Sequence, residues 1–449
     1  MIVVRFAPSP TGYMHIGNIR TALLNRLFAD SLAYHTGEKT QYVLRLDDTD
    51  TERSKKEYED AVYEDLKWLG ISWDRLEHQS ARLDRYQSVL EDLKRQGRIY
   101  ACYETEEELE YKRRRLRARG LPPVYDRAGM RLTGEQKKKY EDEGRKPHYR
   151  FALEAKETSW NDMIRGHCAY NGQHLSDPIV VRENGTFPYM LPSVIDDMDF
   201  GITHVVRGED HVTNTAVQIQ MFEALGAKVP TFAHAPLLTG KEGKLSKRVG
   251  SMSSREMKQE GIEPMTIACL LARLGTPDPT VICPSLKELT PYFDLSHFGR
   301  AQPHFDVEEL FKLNPRVLHA MPLETVNARL AAANQPAVSE AFWRTVSPNI
   351  TKFDDIYMWR DILESDKVFD IPEEDRAFCA SAADMLTESV QTSEDFSAWL
   401  NAVKEKTGRK GKALFHPIRK ALTGREDGPE LKFMLPLLTW KKVAARLRG

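Results

Sequence analysis

The feature that most restricts the fold of this chain is a strand–turn–helix pattern at residues 2–34. An apolar run at 2–7 (IVVRFA) is followed by a Gly- and Pro-rich turn at 8–18 (PSPTGYMHIGN) and then by apolar residues at helical spacing. Such a turn brings backbone N–H groups and the positive end of a helix to one point, where polyphosphate binds favourably. Gly17 omits a side chain that would obstruct a nucleotide, and His15 offers a donor to phosphate oxygens. The pattern predicts a nucleotide site.

A second segment, at residues 240–250, places positive charge on a loop flanked by glycine. It contains the run KLSKR, with Lys244, Ser246 and Lys247. Two ammonium groups on such a loop would neutralise phosphate charge if the loop closed over a nucleotide. The two segments together predict a site for ATP.

Length and composition predict a modular protein. With 449 residues the chain exceeds the size of one hydrophobic core, so we expect two to four domains. No apolar run is long enough to span a bilayer, and the first residues lack the pattern of a signal peptide. The five cysteines are scattered, which fits reduced thiols better than disulfides. We therefore expect a cytoplasmic protein without a membrane partner.

Positive charge is concentrated in two places, although the formal net charge is only −2. Residues 401–449 contain thirteen Lys or Arg against four Asp or Glu, and a second basic run lies at 112–119 (KRRRLRAR). A solvated helix face explains the second run equally well when it is taken alone. Beside an ATP site, two separated basic surfaces suit a long polyanion that contacts both.

The first part of the chain alternates strand-like and helix-like stretches. Strand patterns at 2–6 and 42–46 and a helical pattern at 55–69 give the βαβ rhythm of a parallel sheet. From about residue 86 to 150 the texture is charged and helical, and strand-like stretches follow at 149–153 and 178–182, which predicts an insertion.

The rhythm of the parallel sheet resumes near residue 194. An apolar strand at 202–207 ends in the polar residues Arg207 and Asp210. Because ligands bind at the carboxyl ends of parallel strands, both are placed like site residues. Helical patterns dominate the last third of the chain.

These motifs together resemble the class I aminoacyl-tRNA synthetases, and most closely the bacterial glutamyl-tRNA synthetases. A single HIGH-like tetrapeptide is weak evidence, but five motifs in the order of that family are specific. The resemblance covers residues 1–320 well and the helical remainder loosely. The five segments are RFAPSPTG at 5–12, HIGN at 15–18, RLDDTD at 45–50, VRGEDH at 206–211 and KLSKR at 244–248.

The resemblance implies an α/β Rossmann-like nucleotide-binding catalytic domain with an inserted α+β domain, followed by an all-α C-terminal anticodon-binding region. We expect the catalytic domain at 1–85 and 190–252 and an inserted acceptor-stem-binding domain at 86–189. A stem-contact helical domain at 253–320 and the anticodon-binding region at 321–449 complete the expected division.

The resemblance also implies a two-step reaction, in which ATP and glutamate give glutamyl-adenylate and pyrophosphate, and the glutamyl group then passes to a ribose hydroxyl at the end of tRNA. The implied catalytic residues are His15, Lys244 and Lys247. The implied ATP contacts are Pro8, Gly17, Asn18, Asp210, Lys244, Ser246 and Lys247, and the implied glutamate contacts are Arg5, Ser9, Asp47, Tyr189 and Arg207.

Structural roles are the alternative for the glutamate contacts. Without the motif order, Arg5 would be assigned to a structural ion pair, Tyr189 to a core position and Asp47 to a turn cap. Many relatives carry Glu where this chain has Asp47, so the contact to the α-amino group is expected to be longer or bridged by water.

We expect Mg²⁺ to accompany ATP and no zinc to be bound. Some bacterial relatives hold zinc in the inserted domain through a Cys-x-Cys pair and a later Cys-x-His pair. Here the corresponding stretches read CYE at 102–104 and GMR at 129–131, so three of the four ligands are missing. Structural zinc requires four protein ligands.

The resemblance implies that the helical C-terminal region reads anticodon bases, with Arg409 and Arg419 as candidate contacts. Trp359 and Trp440 are more easily explained as helix-core aromatics. At 348–352 (PNITK), where some discriminating relatives present Arg, this chain has none. Charging of tRNA-Glu, tRNA-Gln or both therefore stays open, and a monomer is expected.

Three alternatives to this function are less favoured. A truncated paralogue that glutamylates a tRNA base lacks an anticodon domain, and glutaminyl-tRNA synthetases normally end in β-barrels, whereas the patterns after Leu318 are helical. A catalytically inactive paralogue usually loses the first His or a loop Lys, and His15, Lys244 and Lys247 are all present.

Overall fold

The chain divides into two compact units in the computed structural model. The first comprises Met1–Gln259 and Ile267–Val307, and the second comprises Glu260–Thr266 and Glu308–Gly449. The structure describes residues 1–240, the backbone of 243 and 244, and residues 252–449. Within this part of the chain no helix is long and apolar enough to cross a bilayer.

The strands all belong to the first unit. They are β1 (Ile2–Phe6), β2 (Thr40–Leu46), β3 (Arg75–His78), β4 (Ile99–Cys102), β5 (His148–Phe151), β6 (Glu157–Asp162), β7 (Gly166–Asn171), β8 (Ile179–Val181), β9 (His204–Gly208), β10 (Thr231–Ala235), β11 (Thr239–Gly240) and β12 (Gly243–Lys244).

Helices lie between these strands and after the last of them. They are α1 (Ile16–Thr36), α2 (Lys56–Trp68), α3 (Leu83–Arg95), α4 (Glu106–Ala118), α5 (Gly134–Asp142), α6 (Met190–Asp199), α7 (Val212–Ala224), α8 (Ser254–Gln259), α9 (Pro264–Leu271) and α10 (Leu286–Leu289).

Parallel strands position the functional residues of the first unit. β1 pairs with β2 and β2 with β3, and β9 pairs with β10, all in parallel. Thr203 joins the two groups, because its N–H donates to Val3 O at 2.9 Å and the Val3 N–H donates to Thr203 Oγ1 at 2.8 Å. The carboxyl ends of the strands therefore meet at one edge, where ligands bind in sheets of this kind.

The stretch between α3 and α6 forms a smaller α+β region. β4, β5 and β8 make an antiparallel sheet, and β6 and β7 make a hairpin. The hairpin is joined to β10, because Met163 N–H donates to Phe232 O at 2.9 Å. The region is thus inserted in the sequence between the parallel strands and is also hydrogen-bonded to one of them.

The second unit is helical in its described elements. Its buried core includes Trp359, Phe396 and Leu422, and the side chain of Arg446 is also buried, with donors to the carbonyls of Leu422 and Ser365 at 2.8 Å each. Its helices are α11 (Val307–His319), α12 (Leu323–Ala332), α13 (Glu340–Val346), α14 (Asp355–Glu364), α15 (Glu373–Ala383), α16 (Ser393–Thr407), α17 (Lys412–Thr423), α18 (Leu431–Met434) and α19 (Trp440–Arg448).

The predicted fold class is confirmed, with parallel strands, an inserted α+β region and a helical C-terminal part. The strand pattern predicted at 149–153 corresponds to β5, but the charged and helical texture assigned to residues 86–150 is wrong at β4. β4 is stabilised by pairing with β5, and α4 and α5 separate the two strands in the sequence. The local charge pattern does not reveal such a contact. The division into four domains stays a prediction.

Replacing Asn314 with Ala should destabilise the second unit. The buried Asn314 side chain accepts from Glu263 N–H at 2.7 Å and Thr266 Oγ1 at 2.8 Å, and donates to the carbonyls of Gly261 and Thr351 at 2.9 Å each. Losing these bonds leaves buried polar groups unpaired, so we expect a loss of about 3 kcal/mol in the free energy of unfolding of this unit.

Calorimetric unfolding of the full chain measures this effect. Asn401→Ala is the matched control, because Asn401 is exposed on α16 and its removal should change the free energy of unfolding by less than about 0.5 kcal/mol. Equal stability of the two variants would contradict the role given to Asn314.

Candidate active site

The N-terminus of α1 is built by the turn that the sequence predicted. His15 is its N-cap: His15 Nδ1 accepts from Gly17 N–H at 3.1 Å, and Asn18 Oδ1 accepts from His15 N–H at 3.3 Å. Because Nδ1 accepts a hydrogen bond, the proton of the neutral ring is on Nε2. His15 thus combines a structural role in capping α1 with a ring N–H that can donate.

A small cavity lies between α1 and the ends of β9 and β10. It measures about 40 Å³, and its lining includes Gly17, Arg20, Gly208 and Pro236. A Cβ at Gly208 would lie 2.5 Å from Asp210 Oδ1 and 3.2 Å from Leu237 Cδ2, so a side chain there would displace the Asp210 carboxylate. Asp210 itself is exposed just beyond β9.

Gly17 has a different local reason from the one that the sequence suggested. A Cβ added there would lie 2.9 Å from Cε1 of the His15 ring. The absence of a side chain at Gly17 therefore leaves room for the capping imidazole. The close approach of a nucleotide to Gly17 stays a prediction.

Pro8 and Ser9 belong to the turn above β1. Pro8 is buried and its carbonyl accepts from Asp47 N–H at 3.0 Å, which ties the turn to the end of β2. Ser9 is exposed, and its carbonyl accepts from Thr11 N–H at 2.8 Å. The turn therefore links the carboxyl ends of the two strands.

The residues that follow the basic run contact the start of α1. Before the basic run, β11 and β12 pair Thr239 with Lys244 in an antiparallel hairpin. After it, Ser253 forms a backbone bridge with His15, and Ser254 N–H donates to Met14 O at 3.0 Å. The side chain of Lys244, and Ser246 and Lys247, lie outside the described residues.

Below the turn lies a buried network of alternating charges. Arg5 Nε donates to Asp197 Oδ1 at 3.2 Å, and Arg45 Nη1 donates to the same oxygen at 2.8 Å. Arg45 Nε also donates to Asp47 Oδ1 at 2.7 Å, while its Nη2 donates to Ser193 Oγ at 3.1 Å. Every one of these charged side chains is buried.

The Asp47 carboxyl has an unusual acidity in this network. Burial raises its pKa to about 6, and the adjacent Arg45 guanidinium opposes the rise. Asp47 therefore changes its charge close to physiological pH rather than well below it. A turn cap alone does not describe the role of Asp47, because the Asp47 carboxylate forms a two-point ion pair with Arg45.

Arg207 is a third buried guanidinium at the edge of the sheet, after Arg5 and Arg45. Its Nη1 donates to the Tyr189 hydroxyl at 2.9 Å and its Nη2 donates to Thr215 Oγ1 at 2.6 Å. Burial lowers the pKa of Arg207, and the nearby positive charge of Arg5 lowers it further. Because Arg5 and Arg207 repel each other, an anion between them would be stabilised.

The half-buried Tyr189 responds to the same positive field. Burial acts to raise its pKa, but the charges of Arg207 and Arg5 outweigh burial, and the pKa is lowered. Tyr189 also packs beside His211, with ring centroids 5.4 Å apart. The structure thus brings Arg5, Asp47, Tyr189 and Arg207 into one cluster of buried charges, and their contacts with a substrate stay a prediction.

Four partners in this site were missed by the sequence argument. Arg45, Ser193, Asp197 and Thr215 have no motif of their own that assigns them a contact. Arg45 stands in the RLDDTD run and could have been suspected there, whereas Asp197 lies 192 residues from its partner Arg5. Only the tertiary fold brings these charges into contact.

The inserted region contains a group of side chains that could ligate a metal. Ligand atoms of Cys102, Glu104 and His148 lie within 4.8 Å of one another, and His148 Nε2 is buried without a hydrogen-bond partner in the described structure. The Tyr125 hydroxyl lies among them, donating to Glu104 Oε1 at 3.0 Å and lying 3.4 Å from Cys102 Sγ. The Arg150 guanidinium carbon lies 4.0 Å from the centre of the Tyr125 ring.

These residues do not fit a structural zinc ion. Structural zinc takes four protein ligands, whereas three candidate ligand groups lie together here among the described residues, with a phenol and a guanidinium beside them. Burial lowers the pKa of His148 to about 4, so its ring is neutral. The absence of zinc stays a prediction.

The two C-terminal candidates are partly engaged within their own unit. Arg409 Nη1 donates to Asp375 Oδ1 at 2.8 Å, and Arg419 Nη1 donates to Pro429 O at 2.7 Å. Burial lowers the pKa of the half-buried Arg419. Trp359 is 1% exposed and belongs to the core, whereas Trp440 is half-buried.

Comparison with known protein families gives two matches along the chain. Residues 1–312 match the model of the catalytic domain of class I tRNA synthetases (E and Q), and residues 316–449 match an anticodon binding domain. The two matches follow each other without overlap and together span nearly the whole sequence.

Individual relatives are similar over their full length. The chain is 50% identical to glutamate–tRNA ligase 1 of Rhodospirillum rubrum, covering 100% of this chain and 99% of that protein. It is 48% identical to glutamate–tRNA ligase 2 of Hyphomonas neptunium, covering 99% of both. A crystal structure of a glutamate tRNA ligase from Elizabethkingia meningosepticum in complex with its amino acid is 27% identical, with a TM-score of 0.80 over 99% of this chain and 98% of that one.

Metal analysis of the purified chain should find zinc far below one ion per chain. The physical reason is that the Tyr125 hydroxyl already bonds to Glu104 and lies beside the protonated Cys102 thiol. The measurement is elemental analysis after incubation with zinc and gel filtration, with Cys102→Ser as the matched variant. One tightly held zinc ion that disappears in Cys102→Ser would contradict this prediction.

Proposed function

The chain belongs to the class I tRNA synthetases for glutamate and glutamine, and we propose that it is a glutamate–tRNA ligase that joins L-glutamate to tRNA in two steps. The observation that carries the proposal is the pair of buried guanidiniums, Arg5 and Arg207, because Arg207 lines the same cavity as Gly17 in the first turn of α1. This arrangement supports a dicarboxylic amino acid and a nucleotide binding side by side.

In the first step, an oxygen of the glutamate α-carboxylate attacks the α-phosphorus of ATP. The bond to the β-phosphate oxygen breaks, and glutamyl-adenylate and pyrophosphate form. In the second step, a ribose hydroxyl of the terminal tRNA adenosine attacks the activated carbonyl, and AMP leaves. Neither step demands a strong protein base, so catalysis depends on positioning and on stabilisation of phosphate charge.

The turn at the start of α1 would bind the triphosphate. Backbone N–H groups of a helix N-terminus attract anions, and His15, with its proton on Nε2, would add a side-chain donor. Pro8, Gly17, Asn18 and Asp210 would complete the nucleotide site around the cavity between α1, β9 and β10. ATP is expected as its magnesium complex.

The basic run would act from the other side. The bridge between Ser253 and His15 supports this arrangement, because it fixes the end of the segment beside the turn. We propose that Lys244 and Lys247 neutralise charge on the phosphates during adenylate formation, with Ser246 adding a hydrogen bond.

Glutamate would be recognised at both of its ends. Arg207 and Arg5 would bind the side-chain carboxylate, assisted by the Tyr189 hydroxyl, and Asp47 would bind the α-ammonium group, with Ser9 near the turn. A guanidinium only donates hydrogen bonds, so it favours a carboxylate over the amide of glutamine.

Binding of tRNA would involve both units. The C-terminal match to an anticodon binding domain supports contacts there, with Arg409 and Arg419 as candidates. The absence of Arg at 348–352, where Lys352 pairs with Glu260 at 3.2 Å, leaves tRNA-Glu, tRNA-Gln or both as substrates. A cytoplasmic monomer remains our expectation for this enzyme.

Two assays test the proposed function directly. ATP–pyrophosphate exchange with glutamate, run with and without each tRNA, should show glutamate-dependent activity, and charging of tRNA-Glu and tRNA-Gln transcripts identifies the tRNA. Arg207→Gln should lower kcat/KM for glutamate by about 100-fold or more, because a buried charged contact is lost. Arg95→Gln is the control, since Arg95 is exposed on α3 and pairs only locally with Asp92.

Absence of glutamate-dependent exchange with every tRNA would overturn the proposal. Charging of tRNA-Glu alone would eliminate relaxed specificity. Equal activity of Arg207→Gln and Arg95→Gln would remove Arg207 from the glutamate site.

The pH dependence of glutamate use should reflect Asp47. Because burial raises its pKa to about 6, Asp47 becomes neutral as the pH falls through that value and no longer attracts an ammonium group. We expect kcat/KM for glutamate to fall below pH 6 while KM for ATP changes little. The measurement is pyrophosphate exchange between pH 5 and 8, and Asp47→Asn should be poorly active and lack the step. A wild-type profile that Asp47→Asn reproduces would contradict the assignment.

A further inference from the structure

Arg207 forms a hydrogen bond with the buried side chain of His234, which belongs to none of the sequence motifs and has no part in the proposed reaction. His234 lies next to it in the register of the parallel strands β9 and β10, and its ring is 0% exposed. Arg207 Nε donates to His234 Nε2 at 3.2 Å. On the far side of the ring, His234 Nδ1 lies 2.5 Å from Asp162 Oδ2, at the end of β6.

The chemistry of Arg207 fixes the position of the proton on this ring. A guanidinium N–H can only donate, and the Thr215 hydroxyl, 2.9 Å from His234 Nε2, can also donate to it, so Nε2 presents its lone pair. The proton is therefore on Nδ1, where it is donated to Asp162. Burial lowers the pKa of His234, and Asp162 has a lowered pKa because the bond to His234 and the backbone N–H groups around it outweigh its own burial, which agrees with a neutral ring beside a carboxylate.

Asp162 is in turn held in one orientation. Its Oδ1 accepts three backbone N–H groups, from Ile164 and Arg165 at 3.0 Å each and from His234 at 3.1 Å. The Asp162 side chain is 0% exposed, and the guanidinium of Arg165, three residues further on, pairs with Glu209 at 2.8 Å. Oδ2 is thus the oxygen available to the imidazole.

The remaining donors of Arg207 show what this support achieves. With Nε on His234 and Nη2 on Thr215 Oγ1, the plane of the guanidinium is fixed, and Nη1 extends to the Tyr189 hydroxyl. The ring of Phe232, 5.4 Å from the guanidinium carbon, limits movement out of this plane. A fork held in this way can meet a carboxylate without losing side-chain entropy on binding.

We propose that Asp162 and His234 are positioning residues that orient Arg207 for the side-chain carboxylate of the amino acid and so set the preference for glutamate. The inference rests on the proposed function, because it assigns a cause to the recognition at that same site. It also gives the inserted region a part in amino-acid selection, since Asp162 ends the first strand of the β6–β7 hairpin.

A matched pair of substitutions at position 234 separates positioning from packing. Both His234→Gln and His234→Asn lose the ring, but the Gln amide oxygen reaches the place of Nε2 and can accept from Arg207, whereas the Asn amide reaches only the place of Nδ1. We expect His234→Asn to raise KM for glutamate by about 10- to 100-fold with KM for ATP unchanged, and His234→Gln to recover most of this loss.

Asp162→Asn tests the proton position itself. Because three backbone N–H groups hold Oδ1, the amide NH₂ must face His234 Nδ1, which then has to accept, and its proton moves to Nε2 against the Arg207 donor. We expect a rise in KM for glutamate together with a change of the His234 tautomer, read from nitrogen chemical shifts of ¹⁵N-histidine-labelled protein.

The outcomes distinguish this inference from the function on which it rests. A wild-type chain without glutamate-dependent pyrophosphate exchange overturns the function and the inference together. An active wild type in which His234→Asn and His234→Gln behave alike in KM for glutamate overturns the positioning role alone. An unchanged tautomer and an unchanged KM for glutamate in Asp162→Asn would also overturn the positioning role alone. Thermal unfolding of each variant confirms that folded proteins are compared.

Discussion

The alternating charges Arg5, Asp197, Arg45 and Asp47 are the interaction on which the rest of the site depends. Burying a single charge costs several kcal/mol, so none of the four could stay inside the fold without its neighbours. Their bonds join the first strand, the second strand and helix α6, which come from three separate parts of the sequence. The network therefore fixes both the relative placement of these elements and the charges around the pocket.

The same network explains how one pocket can carry both signs of charge. Asp197 is shared by two guanidiniums, and Asp47 is bonded to Arg45, so a net positive field remains on the side of Arg207 while a carboxyl with raised pKa remains on the other. An amino acid with two carboxylates and one ammonium group matches this distribution. Burial strengthens the discrimination, because unpaired polar atoms are costly where water cannot reach them.

Local sequence pattern predicts the parts of the fold that depend on a short run of residues. The turn after β1, the strand that carries Arg207 and the helical C-terminal part follow from local pattern, whereas the substrate contacts of Arg5, Asp47 and Tyr189 stay predictions from motif order. Local pattern was insufficient where a contact joins distant segments: Asp197 and His234 look like ordinary residues of a helix and a strand until the fold brings Arg5 and Arg207 to them. The short strand β4 was missed for the same reason, because its stability comes from a partner strand.

The junction of Val3 with Thr203 has a consequence for how the chain acquires its fold during synthesis. The two residues are 200 positions apart, so the inner edge of β1 is unpaired until β9 has been made. At about 5–20 residues per second, a ribosome needs on the order of 10–40 s to reach that point. During this interval the nascent chain exposes an apolar strand edge, the kind of surface through which chains aggregate. Ordered insertion of a whole domain between the two halves of the sheet thus delays the completion of the nucleotide fold.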